Sequence, residues 1–274
     1  MRYESPHLPA YEASIDAYHR AFETELRHVV STLPLPPSPR ILDVGCGDGF
    51  YSGLLADRLG ADGRLTAVDV SDDYLQVAGQ RLRGHGRAAQ IECRKENIRK
   101  LTFPHHAFDV AWCGQSFYSL PDPVEALKEM RRVVRPGGTV IVFENDTLHH
   151  LLLPWPPDVE LAVRTAELAH YRERFNDPEK FYIGRALSEL FSVAGLMPEH
   201  QRTFAWDRRF PFDPSCRDFL SRELLGIRER IHPHLSAVSR EGCERYLDPA
   251  SALCCLNDPN AGVTVLDRLT WGRR

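Results

Sequence analysis

Residues 40–53, RILDVGCGDGFYSG, set three glycines within five positions between an apolar run and a helix-like pattern. Ile41, Leu42 and Val44 read as a short buried strand, Gly45, Gly47 and Gly49 as a turn, and FYSGLLADRL as the helix that follows. Glycine lets backbone approach a ligand closely, and a helix N-terminus offers unpaired N–H donors, so the unit suits a nucleotide-like ligand. Two details narrow the choice. The third glycine falls one position too early for the dinucleotide fingerprint, with Phe50 in its place, and no G-K-[ST] follows. Asp43 stands two residues before the first glycine. A carboxylate there repels a pyrophosphate and attracts an ammonium or a sulfonium. A ligand with an adenosine end and a cationic amino-acid end satisfies both facts.

The rest of the chain repeats strand and helix. RLTAVDV (64–70), AAQIEC (88–93), AFDVAWC (107–113) and TVIVFE (139–144) read as further strands. Leu75, Ala78 and Leu82 share one helix face, Gly60 is placed to end the first helix, and Asp122, Pro123 and Glu125 form a helix start with a capping-box pattern. Strands alternating with helices predict an α/β fold, a doubly wound, mostly parallel sheet with helices on both faces. Before it, Tyr11, Ile15, Tyr18, Phe22, Leu26 and Val29 follow a helical stripe that the prolines of PLPPSPR end. The alternation breaks over 145–181, where a proline-broken loop precedes a helix, and over 211–250, a second and mostly helical insertion. Between them lie a helix around Leu187–Phe191 and a strand at about 199–206, and AGVTVLDRLTWG closes the chain as a β-rich segment. The expected organisation is an N-terminal helical cover segment, 1–38, and a ligand-binding domain, 39–274, with cover insertions at about 145–181 and 211–250.

Bulk properties exclude some partners. A net charge of −4 gives no global reason to bind nucleic acid or an anionic membrane. The one local exception is 81–100, with seven basic residues against two acidic, which reads first as a solvated helix end. Seven cysteines without C-x-x-C spacing argue against a disulfide framework and a zinc module; the pair Cys254-Cys255 reads as strand packing. The N-terminus lacks an apolar signal region and no run reaches membrane-spanning length, so a cytoplasmic location is expected.

ILDVGCGDG, the acid in TAVDVS, FPHHAFDVAWC and ALKEMRRVVRPGGTVIV, in that order, resemble the motifs of class I S-adenosylmethionine-dependent methyltransferases. The resemblance covers 40–144 strongly and 184–206 more loosely. It implies a Rossmann-like sheet, S-adenosylmethionine as cofactor, and methyl transfer to an oxygen, nitrogen or carbon atom of a small organic metabolite. RNA or protein methylation, and cofactor binding with a non-methylating or regulatory role, are the alternatives. Asp43, Gly45, Cys46, Gly47 and Gly49 then form the cofactor loop, with Cys46 a small filler. Asp69, 24 residues beyond Gly45, is placed to accept both ribose hydroxyls, since Ser71 and Asp72 can cap the next helix, and Val70 to lie along adenine. Asn97 takes the place where the family usually shows an aspartate touching adenine, although it also reads as a turn residue. Ile98 would add its N–H, and Gly114 and Gln115 resemble the segment lining the methionine end.

A protic acceptor needs a base, and His149 and His150 follow the fifth strand at the carboxyl edge of the sheet; His19 and His170 are further candidates in the cover. With 12 histidines in the chain, surface polarity is the competing explanation. Glu144, Asp146, His149 and His150 are of ligand type, but their spacing matches no metal motif and no metal is expected. Aromatic residues are dense in the cover. Tyr18, Tyr118, Trp155 and Tyr171 are candidate substrate contacts, with Tyr11, Phe117, Phe175 and Tyr182 alongside. An apolar, closed pocket of that kind favours a small substrate over a polymer.

Overall fold

The computed structural model describes residues 12–175 and 179–274; Tyr11, and the side chain of Phe175, lie outside that description. The chain opens with α1 (Glu12–Ala21) and α2 (Glu23–Ser31). The continuous stripe predicted one helix here, but the backbone breaks at Phe22, whose ring is fully buried. The sheet unit follows: β1 (Arg40–Val44), α3 (Phe50–Ala56), β2 (Arg64–Asp69), α4 (Asp72–Arg83), β3 (Ile91–Lys95), β4 (Phe108–Gly114), α5 (Pro123–Val133) and β5 (Val134–Glu144). The remaining elements are β6 (Leu151–Leu152), α6 (Pro157–Phe175), α7 (Ile183–Val193), β7 (Met197–Arg209), α8 (Pro214–Ile231), α9 (Ala237–Leu247) and β8 (Gly262–Arg273).

The strand order is β3-β2-β1-β4-β5-β8, parallel through β5. β8 runs antiparallel to β5, pairs with β7 along its other edge, and extends past the end of β5 to meet β6. Successive strand residues point to opposite faces, and the core divides accordingly. Leu42, Val44, Ala111, Cys113, Val140 and Val142 pack with Leu127 and Met130 of α5 and Phe191 of α7. Ile41, Leu65, Ala67, Val110, Trp112 and Ile141 pack on the other side with Leu54 and Leu55 of α3, Ala78 of α4 and the N-terminal helices. A sheet buried on both faces needs such continuous apolar runs, which is why the central strands were readable. On the second face α1 packs on α8, and α8 on α6 and α9.

Several local expectations shift. Residues 88–90 form a 3-10 turn, and β3 runs on to Lys95, paired with Asp69 of β2. Asp122 caps α5 by accepting from the Glu125 N–H at 3.0 Å, but the Glu125 carboxylate pairs with Lys128 at 2.6 Å instead of completing the box. α3 ends at Ala56, so Gly60 is not its cap; a Cβ there would meet the Pro37 carbonyl oxygen at 2.1 Å, and close approach of the proline loop explains the glycine. Cys254 and Cys255 lie in a buried turn, not a strand. The two-residue β6 carries no sequence pattern of its own.

Candidate functional site

The carboxyl ends of β1, β2 and β4 open into a cavity of about 530 Å³, within the range of small-ligand sites. It lies where strand order reverses, with β2 on one side of β1 and β4 on the other, the place an open α/β sheet binds ligands. The glycine loop forms one wall. Gly49 sits at φ +81° with α4 packed against it, so that a Cβ would lie 3.1 Å from Ala78.

The loop is not a phosphate cradle. Gly45 and Cys46 donate their N–H groups to the Val68 carbonyl at 2.8 and 3.0 Å, and Gly49 donates to Cys46 at 2.9 Å. Gly47 donates to Asp69 at 3.1 Å, and the other Asp69 oxygen accepts from Ser71 at 2.9 Å. The donors expected to greet a ligand are therefore turned to one another and to the strand beside them. Carboxylates supply the charge instead: Asp43, Asp48, Asp69 and Glu96 all line the cavity. Asp43 is 1 % exposed and accepts from the Ser52 hydroxyl at 2.5 Å. Burial pushes its carboxyl up to about 7, with Asp69 and Asp48 adding to the rise against the Ser52 bond. Asp48 pairs with Arg81 at 2.6 Å.

Each residue assigned to the cofactor lines this cavity except Gly49, which supports the loop from behind. Val70 is 64 % exposed and, with Ile98, adds apolar surface to the cavity lining. Asn97 accepts from the Arg99 N–H at 3.0 Å, the turn arrangement that was its alternative. Gln115 adopts φ 51° and donates its N–H to Phe143 at 2.7 Å. Its Oε1 accepts from Tyr51 at 3.2 Å and lies 3.3 Å from His19 Nε2. Asp48, Tyr51, Tyr74, Glu96 and Ile15 were not singled out. Asp48 and Tyr51 were within reach, being in or beside the loop; Ile15 arrives from a helix whose docking no local pattern encodes.

The other candidates separate. Of the four proposed substrate aromatics, Tyr118 lines the cavity. Tyr18 lies behind it, donating to Asp267 at 2.6 Å, and Trp206 donates to the same oxygen at 2.8 Å. Trp155 packs under Arg164, and Tyr171 stacks on Phe181 at 3.7 Å, both away from the cavity lining. His149 and His150 are likewise outside it. His149 lies against Tyr182, and burial lowers its pKa. His150 donates through Nδ1 to the Thr147 carbonyl at 2.9 Å and faces Glu223 at 3.7 Å. Burial opposes its charged form, but Glu223 and Thr147 outweigh that and raise its pKa. His170 sits beside Tyr171 and His234. Glu144 accepts from the Phe117 and Asn145 N–H groups, and Asp146 pairs with Arg185. The residue that does reach the cavity is His19, 5 % exposed and stacked on Phe50 at 3.9 Å.

The donor set fits S-adenosylmethionine on chemical grounds. Asp69 is an acceptor for a ribose diol, Val70 and Ile98 offer apolar surface to a planar base, and Asp43 places negative charge where a cationic amino-acid end would lie.

Comparison with known proteins agrees. Residues 42–142 match the family model described as a methyltransferase domain. A demethylmenaquinone methyltransferase of Bacillus cytotoxicus is 33 % identical over 126 residues, covering 46 % of this chain and 52 % of the relative. The chain thus matches about half the length of that curated relative. Among solved structures, the YcgJ protein of Bacillus subtilis aligns over 92 % of this chain and 98 % of its own, with TM-score 0.57 at 17 % identity. A SAM-dependent methyltransferase of Aquifex aeolicus aligns over 69 % of this chain and 90 % of its own, with TM-score 0.52 at 20 % identity. At those identities the likeness is one of fold, and it is the α/β fold that the alternating motifs predicted. Over residues 42–142 this chain is similar to methyltransferase domains, and its sheet carries the α/β fold seen in solved methyltransferase structures.

Proposed function

We propose that the protein transfers a methyl group from S-adenosylmethionine to a small organic acceptor held in the cavity at the carboxyl edge of the sheet. One observation carries the reading. The loop spends its backbone donors internally while four carboxylates line the same cavity, an arrangement suited to a cation bearing a diol and hostile to a diphosphate. When bound, the cofactor supplies an electrophilic methyl on a sulfonium whose departing sulfur is a neutral thioether. Asp43, Gly45, Cys46, Gly47, Gly114 and Gln115 hold its amino-acid end, and Asp69, Val70, Asn97 and Ile98 its adenosine end. Transfer is an in-line displacement, so alignment of the acceptor supplies much of the acceleration.

A small acceptor is supported by the enclosing contribution of Ile15 and His19 from α1 and of Tyr118 and Leu120 after β4. The demethylmenaquinone named for the Bacillus relative is also a small molecule. The basic stretch 81–100 gives little to an RNA reading. Arg81, Arg94 and Lys95 are paired with Asp48, Glu96 and Asp72. The cover assignment is retained in altered form: α1 lines the cavity, and α8 braces α1 from behind, packed in turn on α6 and α9. Seven free cysteines suit a reducing compartment, which supports a cytoplasmic location. Among the described residues no helix is long and apolar enough to cross a membrane.

The test has two parts. Calorimetry with S-adenosylmethionine should show binding that Asp69→Ala weakens at least about tenfold, because charge-assisted hydrogen bonds contribute about 1.5–3 kcal/mol each. Unchanged affinity would remove the ribose assignment. Incubation with methyl-deuterated cofactor and a small-molecule extract of the source cells should give a labelled metabolite by mass spectrometry. Label found only in RNA or protein would overturn the small-molecule reading.

A further inference from the structure

Resting on that reading, we propose that Glu144 is a positioning residue for the amino-acid end of the cofactor. From the end of β5 it clamps the segment after β4 that lines the cavity. The segment leaves the sheet at Gln115, whose N–H still bonds to Phe143 at 2.7 Å. Gln115 turns with φ 51°, in the left-handed region that disfavours a side chain. A 3-10 turn, Phe117–Ser119, follows at once. Its first N–H groups lack acceptors within the turn, and the side chain of Ser116 does not cap them. The Ser116 hydroxyl faces the Gly114 and Gly45 carbonyls instead, at 3.1 and 3.2 Å. Glu144 supplies the missing acceptor. One of its oxygens accepts from the Phe117 and Tyr118 N–H groups at 2.9 and 3.4 Å, and the other from Asn145 at 3.0 Å.

A left-handed residue with a side chain persists where its surroundings over-determine it. Here Phe143 holds the backbone on one side of the bend and Glu144 on the other. What they fix is cavity wall. Gln115 lines it, with its Oε1 accepting from Tyr51 at 3.2 Å, and Ser116 carries the constraint to Gly45 of the glycine loop. The adenosine end is built differently. Asp69 and Val70 stand at the end of β2, Asn97 and Ile98 beyond β3, and Asp69 is held by the Gly47 and Ser71 N–H groups. Burial raises the Glu144 pKa to about 8, while its three N–H bonds lower it. Protonated or ionised, the group keeps lone pairs on both oxygens, so the clamp stands in either state. Glutamine at this position sets amide hydrogens against either the Phe117 and Tyr118 donors or the Asn145 donor. Without the clamp the segment is free to leave the left-handed arrangement, and cofactor affinity falls with the fraction still correctly arranged.

The test compares Glu144→Gln with the parent by calorimetry against two ligands, S-adenosylmethionine and methylthioadenosine. The second keeps the adenosine and the thioether methyl but lacks the amino-acid end. The variant should bind S-adenosylmethionine about five- to thirtyfold more weakly, the ratio by which left-handed backbone is disfavoured, and methylthioadenosine within about twofold of the parent. Because Glu144 is buried, a measurement on the parent accompanies the variant. Hydrogen exchange of the ligand-free protein should find the Phe117 N–H as slow as the Gln115 N–H that bonds to Phe143. Unchanged S-adenosylmethionine affinity in the folded variant would overturn the proposal. So would equal losses for both ligands, the mark of a general loosening, or rapid exchange at Phe117 in the parent. A parent that binds neither ligand would remove the cofactor reading itself, and the positioning role with it.

Discussion

Asp43, the penultimate residue of β1, has its carboxyl enclosed and accepts a hydrogen bond from Ser52, and its burial has a measurable consequence. The folded-state pKa is raised to about 7, above the ordinary carboxylate range, so the free protein holds a proton there that the unfolded chain releases. This group's contribution to stability therefore falls as pH rises from about 4 to 7. A cationic ligand prefers the ionised form. Cofactor affinity should then be full above about pH 7 and weaken as pH falls, by up to about tenfold per unit. Calorimetry at pH 6 and 8 checks this, with Asp43→Asn expected to flatten the dependence. Glu144, raised to about 8 by burial, is the reason the variant is needed as a control. A parent with pH-independent affinity would show that Asp43 does not meet the cation.

At the scale of elements, the decisive junction is the one between β1 and α3. Gly49 caps α3 in the left-handed region, φ +81°, while α4 closes on its Cα hydrogens. Gly49→Ala adds both backbone strain and a contact at 3.1 Å with Ala78 backbone, which cannot rotate away. Left-handed backbone costs a non-glycine residue about 1–2 kcal/mol, and the contact adds to it. Thermal denaturation should show that loss, accompanied by weaker cofactor binding, because the same turn positions Gly47 against Asp69. Gly53, whose Cβ would meet nothing within 4 Å, is the matched control within the same helix and should tolerate alanine.

Across the whole molecule, the long β7–β8 pair joins sheet and cover. Arg208 of β7 donates to the Ala21 carbonyl at 3.0 Å and to Glu25 at 2.6 Å, with its guanidinium 4.5 Å from the Phe22 ring centre. It thus ties the break between α1 and α2 to the sheet, and through α1 it fixes His19. Arg208→Ala should cost about 1–2 kcal/mol, the value for a charged hydrogen bond reduced for partial solvent access. Hydrogen exchange in α1 should quicken, and turnover should fall more than cofactor affinity, since α1 contributes to the acceptor end. Equal loss of both would place α1's role in cofactor binding instead.

The strand–glycine–helix unit, Asp69 at the end of the second strand and the alternating order of the sheet were all legible in the sequence. They depend on local properties: apolar runs buried on both faces, positive φ that glycine adopts freely, and an acid at the strand's end. Even the competing turn role of Asn97 was readable from its residue type. What only tertiary structure decided was which histidine meets the cavity. His149 and His150 lie near the sheet edge in sequence, yet they turn to Tyr182, Thr147 and Glu223. His19 comes from α1, 21 residues before β1 begins, and nothing in its neighbours encodes where α1 docks. That docking is set by Phe22 and Tyr18 against Phe219 of α8 and by Arg208 of β7, partners nearly 200 residues away in the chain. Local conformation is written in neighbouring residues, whereas an acceptor site assembled from distant elements exists only after the core has closed around it.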